Sequence, residues 1–220
     1  MEETAMIEKQ TKERQNEQKW DKLLKIRTTG RDDSRANQYC YPYEPTPYCV
    51  LERLAQSGYI TRKNKILDYG CGKGRVDFFL SWQTRCRSIG IEYNEWIFQQ
   101  AKNNQEKAVC GGRVALECHN AKNYRVPLDA DRIYFFNPFS LEILREVISR
   151  ILESYYEAPR RILLFFYYPS DEYMSYLMTV EELLFLDEIH CMDLFPGNYY
   201  RERIVIFELQ EDYCGTRADA

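Results

Sequence analysis

The sequence predicts an α/β fold: a mostly parallel sheet of seven strands with helices on both sides, finished by a C-terminal antiparallel hairpin. Three observations lead there. From Lys65 to Tyr168, short runs of strand residues alternate with stretches of helical periodicity. The first of these strands ends in the glycine-rich turn Gly70–Cys71–Gly72–Lys73–Gly74, which opens a helix. The last two strand-like runs meet across Phe195–Pro196–Gly197–Asn198–Tyr199 with no helix between them, so they should pair antiparallel.

Residues 1–38 are rich in Lys, Glu, Gln and Arg and read as a charged N-terminal helical extension with freedom to move. Trp20, Leu23 and Leu24 fall on one face of that helix, and a loop follows at Thr29–Ser34. The domain proper is expected over 39–210, with a frayed tail at 211–220. Pro42, Pro45 and Pro47 exclude a helix interior before Tyr48. Thr46 is the expected N-cap and Pro47 the first residue of a helix running to Gln56, stopped at Ser57–Gly58. The strand Lys65–Tyr69 and the helix Arg75–Trp82, with Val76, Phe79 and Leu80 on one side, come next. A second strand, Arg87–Glu92, precedes a helix capped by Asn94 and running to Lys107. Strands follow at Arg113–Cys118 and Asp131–Phe136, then a helix over Leu141–Tyr155 capped by Ser140. Arg160–Tyr168 is continuously apolar, as a strand covered on both faces should be. Leu183–Leu194 and Arg201–Leu209 are the terminal strands.

Composition narrows the function classes. Of 220 residues, 45% are hydrophobic and 15% aromatic, enough for a packed core and unlike a disordered chain. The net charge of −4 weighs against a broad nucleic-acid surface. No apolar run reaches the length of a membrane span, and Met1–Gln18 lacks the apolar stretch of a secretory signal, so the cytoplasm is the expected compartment. Eight cysteines without a C-x-x-C pair read as reduced thiols; with two histidines they offer little for a zinc site, and no metal is expected.

The chemistry-bearing residues cluster at strand ends. Glycines at 70, 72 and 74 permit a tight turn and close approach of a ligand. A dinucleotide fingerprint would place its third glycine at 75, where this chain has Arg75. Asp68, before the turn, would repel a pyrophosphate, so a ligand with a positive group near the loop is favoured. Glu92, ending the next strand, can accept both hydrogen bonds of a ribose diol, with Tyr93 beside a purine ring.

Asp68–Tyr69–Gly70–Cys71–Gly72–Lys73–Gly74 followed by Gly90–Ile91–Glu92–Tyr93–Asn94 resembles the first two motifs of class I S-adenosylmethionine-dependent methyltransferases. The resemblance spans about 43–209 and implies their three-layer αβα, Rossmann-like sheet. It implies that Asp68, Gly70, Cys71 and Gly72 hold the methionine part of S-adenosylmethionine, that Glu92 holds the ribose, and that Asn120 and Ala121 meet the adenine. The family more often has Asp where this chain has Asn120. Phe136–Asn137–Pro138–Phe139–Ser140 resembles the N-P-P-Y/F motif of methyltransferases acting on nitrogen, with one proline in place of two. That implies an Asn137 side chain accepting a hydrogen bond from the acceptor's amino group, and Phe139 packing on the substrate. The same segment also reads as a rigid helix entry. Phe135, Phe136, Tyr167 and Tyr168 are expected at the strand ends that border the site, and Tyr43 and Tyr48 as a lid over it. The resemblance thus implies methyl transfer to nitrogen, in a family that includes enzymes acting on nucleobases and on protein side chains; the acidic net charge favours a protein side chain or a small molecule over nucleic acid as acceptor. Two other classes stay open. A nucleotide-dependent oxidoreductase would bind a nicotinamide cofactor, against which Arg75 speaks; a non-catalytic module would bind the cofactor without turnover.

Overall fold

A computed structural model describes residues 15–31, 43–197 and 199–209. The expectations for Pro42, the rest of the Thr29–Ser34 loop beyond 31, Asn198 and the tail lie outside the described residues. Helix α1 covers 15–24. After it come α2 (Tyr48–Gln56), β1 (Lys65–Tyr69), α3 (Arg75–Gln83), β2 (Arg87–Glu92), α4 (Glu95–Lys107), β3 (Val114–Cys118) and β4 (Arg132–Phe135). The chain continues through α5 (Leu141–Glu157), β5 (Ile162–Tyr167), α6 (Asp171–Leu177), β6 (Leu183–His190) and β7 (Arg203–Leu209). The seven strands lie in the order β3-β2-β1-β4-β5-β7-β6. The first five run parallel, and β7 inserts antiparallel between β5 and β6. This is the Rossmann-like sheet with its antiparallel C-terminal pair.

Both faces of the sheet are covered, and β5 shows how. Ile162, Leu164 and Phe166 enter the core on the α5–α6 side with Leu144, Val147, Ile151, Tyr173 and Leu177. Leu163 and Phe165 point the other way, to Trp20, Leu24, Leu51, Leu54, Phe78 and Phe79 of α1, α2 and α3. Strand side chains alternate between faces, so a strand buried on both sides must be apolar throughout. At the outer edge, β6 shifts register between Phe185 and Asp187. The Asp187 carboxylate there accepts the Tyr59 hydroxyl at 2.6 Å, while Leu184 and Phe185 stay exposed. No helix among the described residues is long and apolar enough to cross a membrane.

Several local expectations change. Leu23 is 45% exposed, and the α1 face that packs is Trp20 and Leu24, joined by Ile26 beyond the helix. Thr46 does not cap α2: its hydroxyl is taken by the Tyr134 hydroxyl at 3.0 Å, and Pro47 stands at the cap position instead. Ser140 occupies the α5 cap position but makes no capping hydrogen bond, and its buried Oγ has no partner. Asn94 does cap α4, accepting from Trp96 N and Ile97 N. Helix α6 was not expected; Ser170 caps it by accepting from Tyr173 N, with Asp171 and Glu172 in its first turn. The run expected to be strand through Leu194 ends at His190, because Met192–Leu194 turns as a 3-10 helix.

Residues 15–31 are bound into the domain by a buried polar network. Arg75, 2% exposed, pairs with Glu17 and donates to Thr28 Oγ1 at 2.7 Å and to the Thr46 carbonyl at 3.2 Å. Its guanidinium lies 4.3 Å from the centroid of the Tyr48 ring. Asp21 accepts from Thr28 N, Thr28 Oγ1, Thr29 N and the Tyr48 hydroxyl at 2.6–3.1 Å. Burial works against the Asp21 charge, but the Thr28 and Tyr48 donors and the Arg75 charge outweigh it and hold its carboxyl below the usual range. Removing one member of a buried ion pair leaves the other charged and unmatched. Arg75→Met should therefore cost ~3–5 kcal/mol, read as a lower urea midpoint, and adding Glu17→Gln should recover part of it. An Arg75→Met variant as stable as the parent would show that this pair does not hold the segment.

Candidate functional site

A cleft of about 960 Å³ opens at the C-terminal ends of β1, β2 and β4. The sheet reverses its winding direction there, with β1 flanked by β2 on one side and β4 on the other, and open α/β sheets bind ligands at such a point. Asp68, Gly70, Cys71, Glu92, Tyr93, Asn120, Ala121, Asn137 and Phe139 all contribute to its lining. Of the residues expected to hold the cofactor or the acceptor, Gly72 alone is not in it.

The turn after β1 is held by its own chain. Gly70 and Cys71 both donate their N–H to the Ile91 carbonyl, at 2.9 and 3.0 Å, which ties the turn to β2. Gly70, Gly72 and Gly74 have φ of +74°, +57° and +83°, the left-handed region. The close approach expected for a ligand is here made by protein. A Cβ at Gly70 would lie 2.6 Å from Pro138 Cβ, and one at Gly72 would lie 2.3 Å from the Tyr43 ring. Tyr43 donates to the Thr28 carbonyl at 2.6 Å and shields Gly72 from the cleft. Tyr43 therefore covers the turn, as a lid residue would. Tyr48 does not: it is fully buried in the core.

Glu92 is braced at both oxygens. Oε2 accepts from Gly72 N at 3.0 Å and Oε1 from Asn94 N at 2.7 Å. Burial raises its carboxyl above the ordinary range, against the pull of the Asn94 and Gly72 amides. Each oxygen keeps a second lone pair, so the group remains a double acceptor on the cleft wall. Tyr93 is 65% exposed at the rim. Asn120 is already occupied: its Oδ1 accepts from Lys122 N at 3.0 Å and caps the 3-10 turn Ala121–Asn123. Ala121 forms wall beside it. His119 and Ile97 also line this end and were not expected there.

At the end of β4, Asn137 adopts φ +38°, and at the end of neighbouring β5 Tyr168 adopts φ +51°. Non-glycine residues in this region carry strain, and two side by side mark a constrained site. Asn137 Nδ2 donates to the Tyr168 carbonyl at 2.5 Å, which fixes the amide and leaves Oδ1 buried without a partner. Phe139 departs from expectation. It is 5% exposed, its ring meets Tyr69 and Phe135 edge-on, and its carbonyl accepts the Tyr173 hydroxyl. It is core. Phe135 and Tyr167 are buried as well; of the four strand-end aromatics expected to border the site, Phe136 lines the cleft, its ring centroid 4.7 Å from that of Tyr167, and Phe135, Tyr167 and Tyr168 do not.

The floor holds a feature the sequence reading missed. Asp68 is 3% exposed, and Asp77, from the first turn of α3, is fully buried beside it. Ser88 donates to Asp77 Oδ1. Asp68 Oδ2 and Asp77 Oδ2 are both buried with no donor partner, while the two carboxyls are within hydrogen-bonding reach of each other. Burial, and the Asp77 charge next to it, push Asp68 well above the carboxylate range; burial pushes Asp77 up to about 7. Gly90 makes room for this, since a Cβ there would lie 2.6 Å from Asp77 Oδ2 and 2.8 Å from Cys71 Sγ. The signals were an acid in the otherwise apolar Val76–Leu80 run and a glycine in mid-strand.

No family model matches the chain. A protein-lysine N-methyltransferase of Saccharolobus islandicus is 29% identical over 76 residues, which is 34% of this chain; the match spans about half (47%) of that relative. An RNA methyltransferase from Salinibacter ruber, solved in complex with S-adenosyl-L-homocysteine, superposes with a TM-score of 0.54 at 14% identity, over 80% of this chain and all of that one. A TehB-like S-adenosylmethionine-dependent methyltransferase from Corynebacterium glutamicum gives 0.53 at 18% identity, over 73% of this chain and 88% of that one. The likeness in structure is one of fold.

The acid pair has a consequence for stability. A carboxyl whose folded pKa is raised binds its proton more tightly folded than unfolded, so its favourable contribution is lost as pH rises from about 4 to about 7. Asn at 77 keeps the Ser88 partner and offers Asp68 an N–H that cannot dissociate. Asp77→Asn should therefore gain melting temperature relative to the parent on going from pH 5 to pH 8. Parallel thermal melts check this; a difference that is constant across pH would show that the pair does not titrate in that window.

Proposed function

We propose that this chain is an S-adenosylmethionine-dependent methyltransferase that acts on nitrogen, on a protein side chain or a small molecule. The observation that carries the reading is one cleft lined by Asp68 on its floor, Glu92 braced as a double acceptor on one wall, and Asn137 with an unmatched acceptor oxygen on another. The residues suit the cofactor. Asp68 Oδ2 is a buried oxygen without a donor, which an α-ammonium group would supply. The spare lone pairs of Glu92 suit the ribose hydroxyls, with Tyr93 and the Asn120–Ala121 wall about the adenine. A nicotinamide dinucleotide suits the floor less well. Its pyrophosphate would face Asp68, with Asp77 buried behind it, and Arg75, the one cation in that turn of helix, is committed to Glu17.

S-adenosylmethionine, when bound, supplies an electrophilic methyl group on sulfur. The chain supplies position. With Nδ2 held by the Tyr168 carbonyl, Asn137 can offer an acceptor nucleophile only an oxygen, so it selects a group that carries a proton to donate. An amine or amide nitrogen fits; its lone pair is turned away from Oδ1 and is left to react. Alignment of this kind is worth ~7–11 kcal/mol in well-oriented intramolecular cases, and it needs no covalent protein nucleophile. Phe136 gives the acceptor an apolar surface that disfavours a charged ammonium. The protein-lysine methyltransferase relative and the net charge of −4 support a protein or amine acceptor over nucleic acid.

Calorimetry should detect S-adenosylhomocysteine binding to the purified chain; no heat at high concentration would remove the proposal. Glu92→Ala should weaken that binding by ~1–3 kcal/mol. Asn137→Ala should cut turnover with little change in cofactor affinity, whereas an equal fall in both would make Asn137 a cofactor or fold residue. The acceptor class is read by radiolabelled methyl transfer to protein, RNA and small-molecule fractions. Label confined to RNA would contradict the assignment.

A further inference from the structure

We infer that Asp68 and Asp77 share a proton in the ligand-free protein and release it to solvent when an ammonium group docks on Asp68, which makes Asp77 a positioning residue for the amino-acid end of the cofactor. The inference rests on the proposed function for the identity of the ligand, and on geometry for the rest.

Two buried oxygens, Asp68 Oδ2 and Asp77 Oδ2, lack donors, and a single proton held between the two carboxyls supplies both. The other groups facing the pair do not relieve it. From β2 come Ser88, which donates to Asp77 Oδ1, and the Glu92 carboxylate; from the turn comes the Cys71 thiol; from β4 comes the Tyr134 hydroxyl, engaged with Thr46. Arg75, two residues before Asp77 on α3, is turned to Glu17, Thr28 and Thr46. Among the described residues no cation acts on either carboxyl. Two carboxylates sharing a water-poor site cannot both ionise, so one proton stays. Asp68 lines the cleft; Asp77 does not. A cation arriving there meets Asp68, favours its charged form and removes the reason for the shared proton, which leaves to bulk water. Asp77 then remains behind as the second charge of a buried pair, oriented by Ser88.

The test is calorimetry on the full chain near pH 7, with S-adenosylhomocysteine titrated in phosphate and in Tris, whose ionisation heats differ widely. The dependence of the observed heat on the buffer gives the protons released. Roughly one proton should leave per ligand, and affinity should rise from pH 6 to pH 8. 5′-Methylthioadenosine, which lacks the amino-acid end, should bind with no release. Asp77→Asn should still bind S-adenosylhomocysteine, with the release at least halved and the pH dependence flattened. Binding of S-adenosylhomocysteine with equal heat in both buffers overturns the inference and leaves the proposed function standing. Equal release by both compounds also overturns it, because the proton would then come from the adenosine end. Failure of both compounds to bind removes the proposed function and this inference together. The comparison of the two ligands on the parent protein needs no variant, so it decides the matter even if Asp77→Asn does not fold.

Discussion

A guanidinium withdrawn from water at the start of α3 governs how this molecule is assembled. Arg75 sits where other nucleotide-binding turns place a third glycine, and it does mechanical work there. Through Glu17 it holds α1, through Thr28 the stretch after it, and through the Thr46 carbonyl the segment that leads into α2. Glu17 and Thr28 lie on one stretch of chain and Thr46 on another, and Arg75 ties both to the start of α3. A buried charge is tolerable only with its partners in place, so the network is all-or-none in character. Because Thr28 also receives Tyr43, the same anchor sets the roof of the glycine turn.

The cleft below that roof is built from conflicts that the rest of the fold over-determines. Strained backbone at Asn137 and Tyr168, two adjoining acids without a cation, and glycines crowded by Pro138 and Tyr43 all lie within one region. Positive φ also occurs at exposed Lys25 and Arg85, but at the cleft it coincides with buried carboxylate and amide oxygens left without partners. Such a concentration is what a binding or catalytic site produces, since orientation of groups toward a ligand competes with their satisfaction by the protein.

Much of the fold was written in local pattern. The alternation of strand and helix, the continuous apolar run of β5, the Asn94 cap and the position of Glu92 each depend on neighbours a few residues away. What escaped depends on distant partners. Thr46 has the chemistry of a cap, but Tyr134, 88 residues on, takes its hydroxyl. Phe139 occupies a motif position that elsewhere meets substrate, yet packing from Tyr69 and Phe135 draws it inward. Asp77 looked like one more helix residue until α3 folded onto β1 and set it against Asp68. Helix α6 was legible in principle from Pro169–Ser170–Asp171–Glu172, but seven residues are too few for periodicity to announce it.

The displaced register of β6 bears on how the protein behaves at high concentration. An outermost strand offers unpaired amide and carbonyl groups to any other chain, and exposed Leu184 and Phe185 would favour such zippering. The extra residue buckles the ribbon at that point, and Tyr59 pins the kink by holding Asp187. A foreign strand could extend the ladder only as far as the kink before its pairing fell out of step, which guards a sticky margin against fibrous self-association.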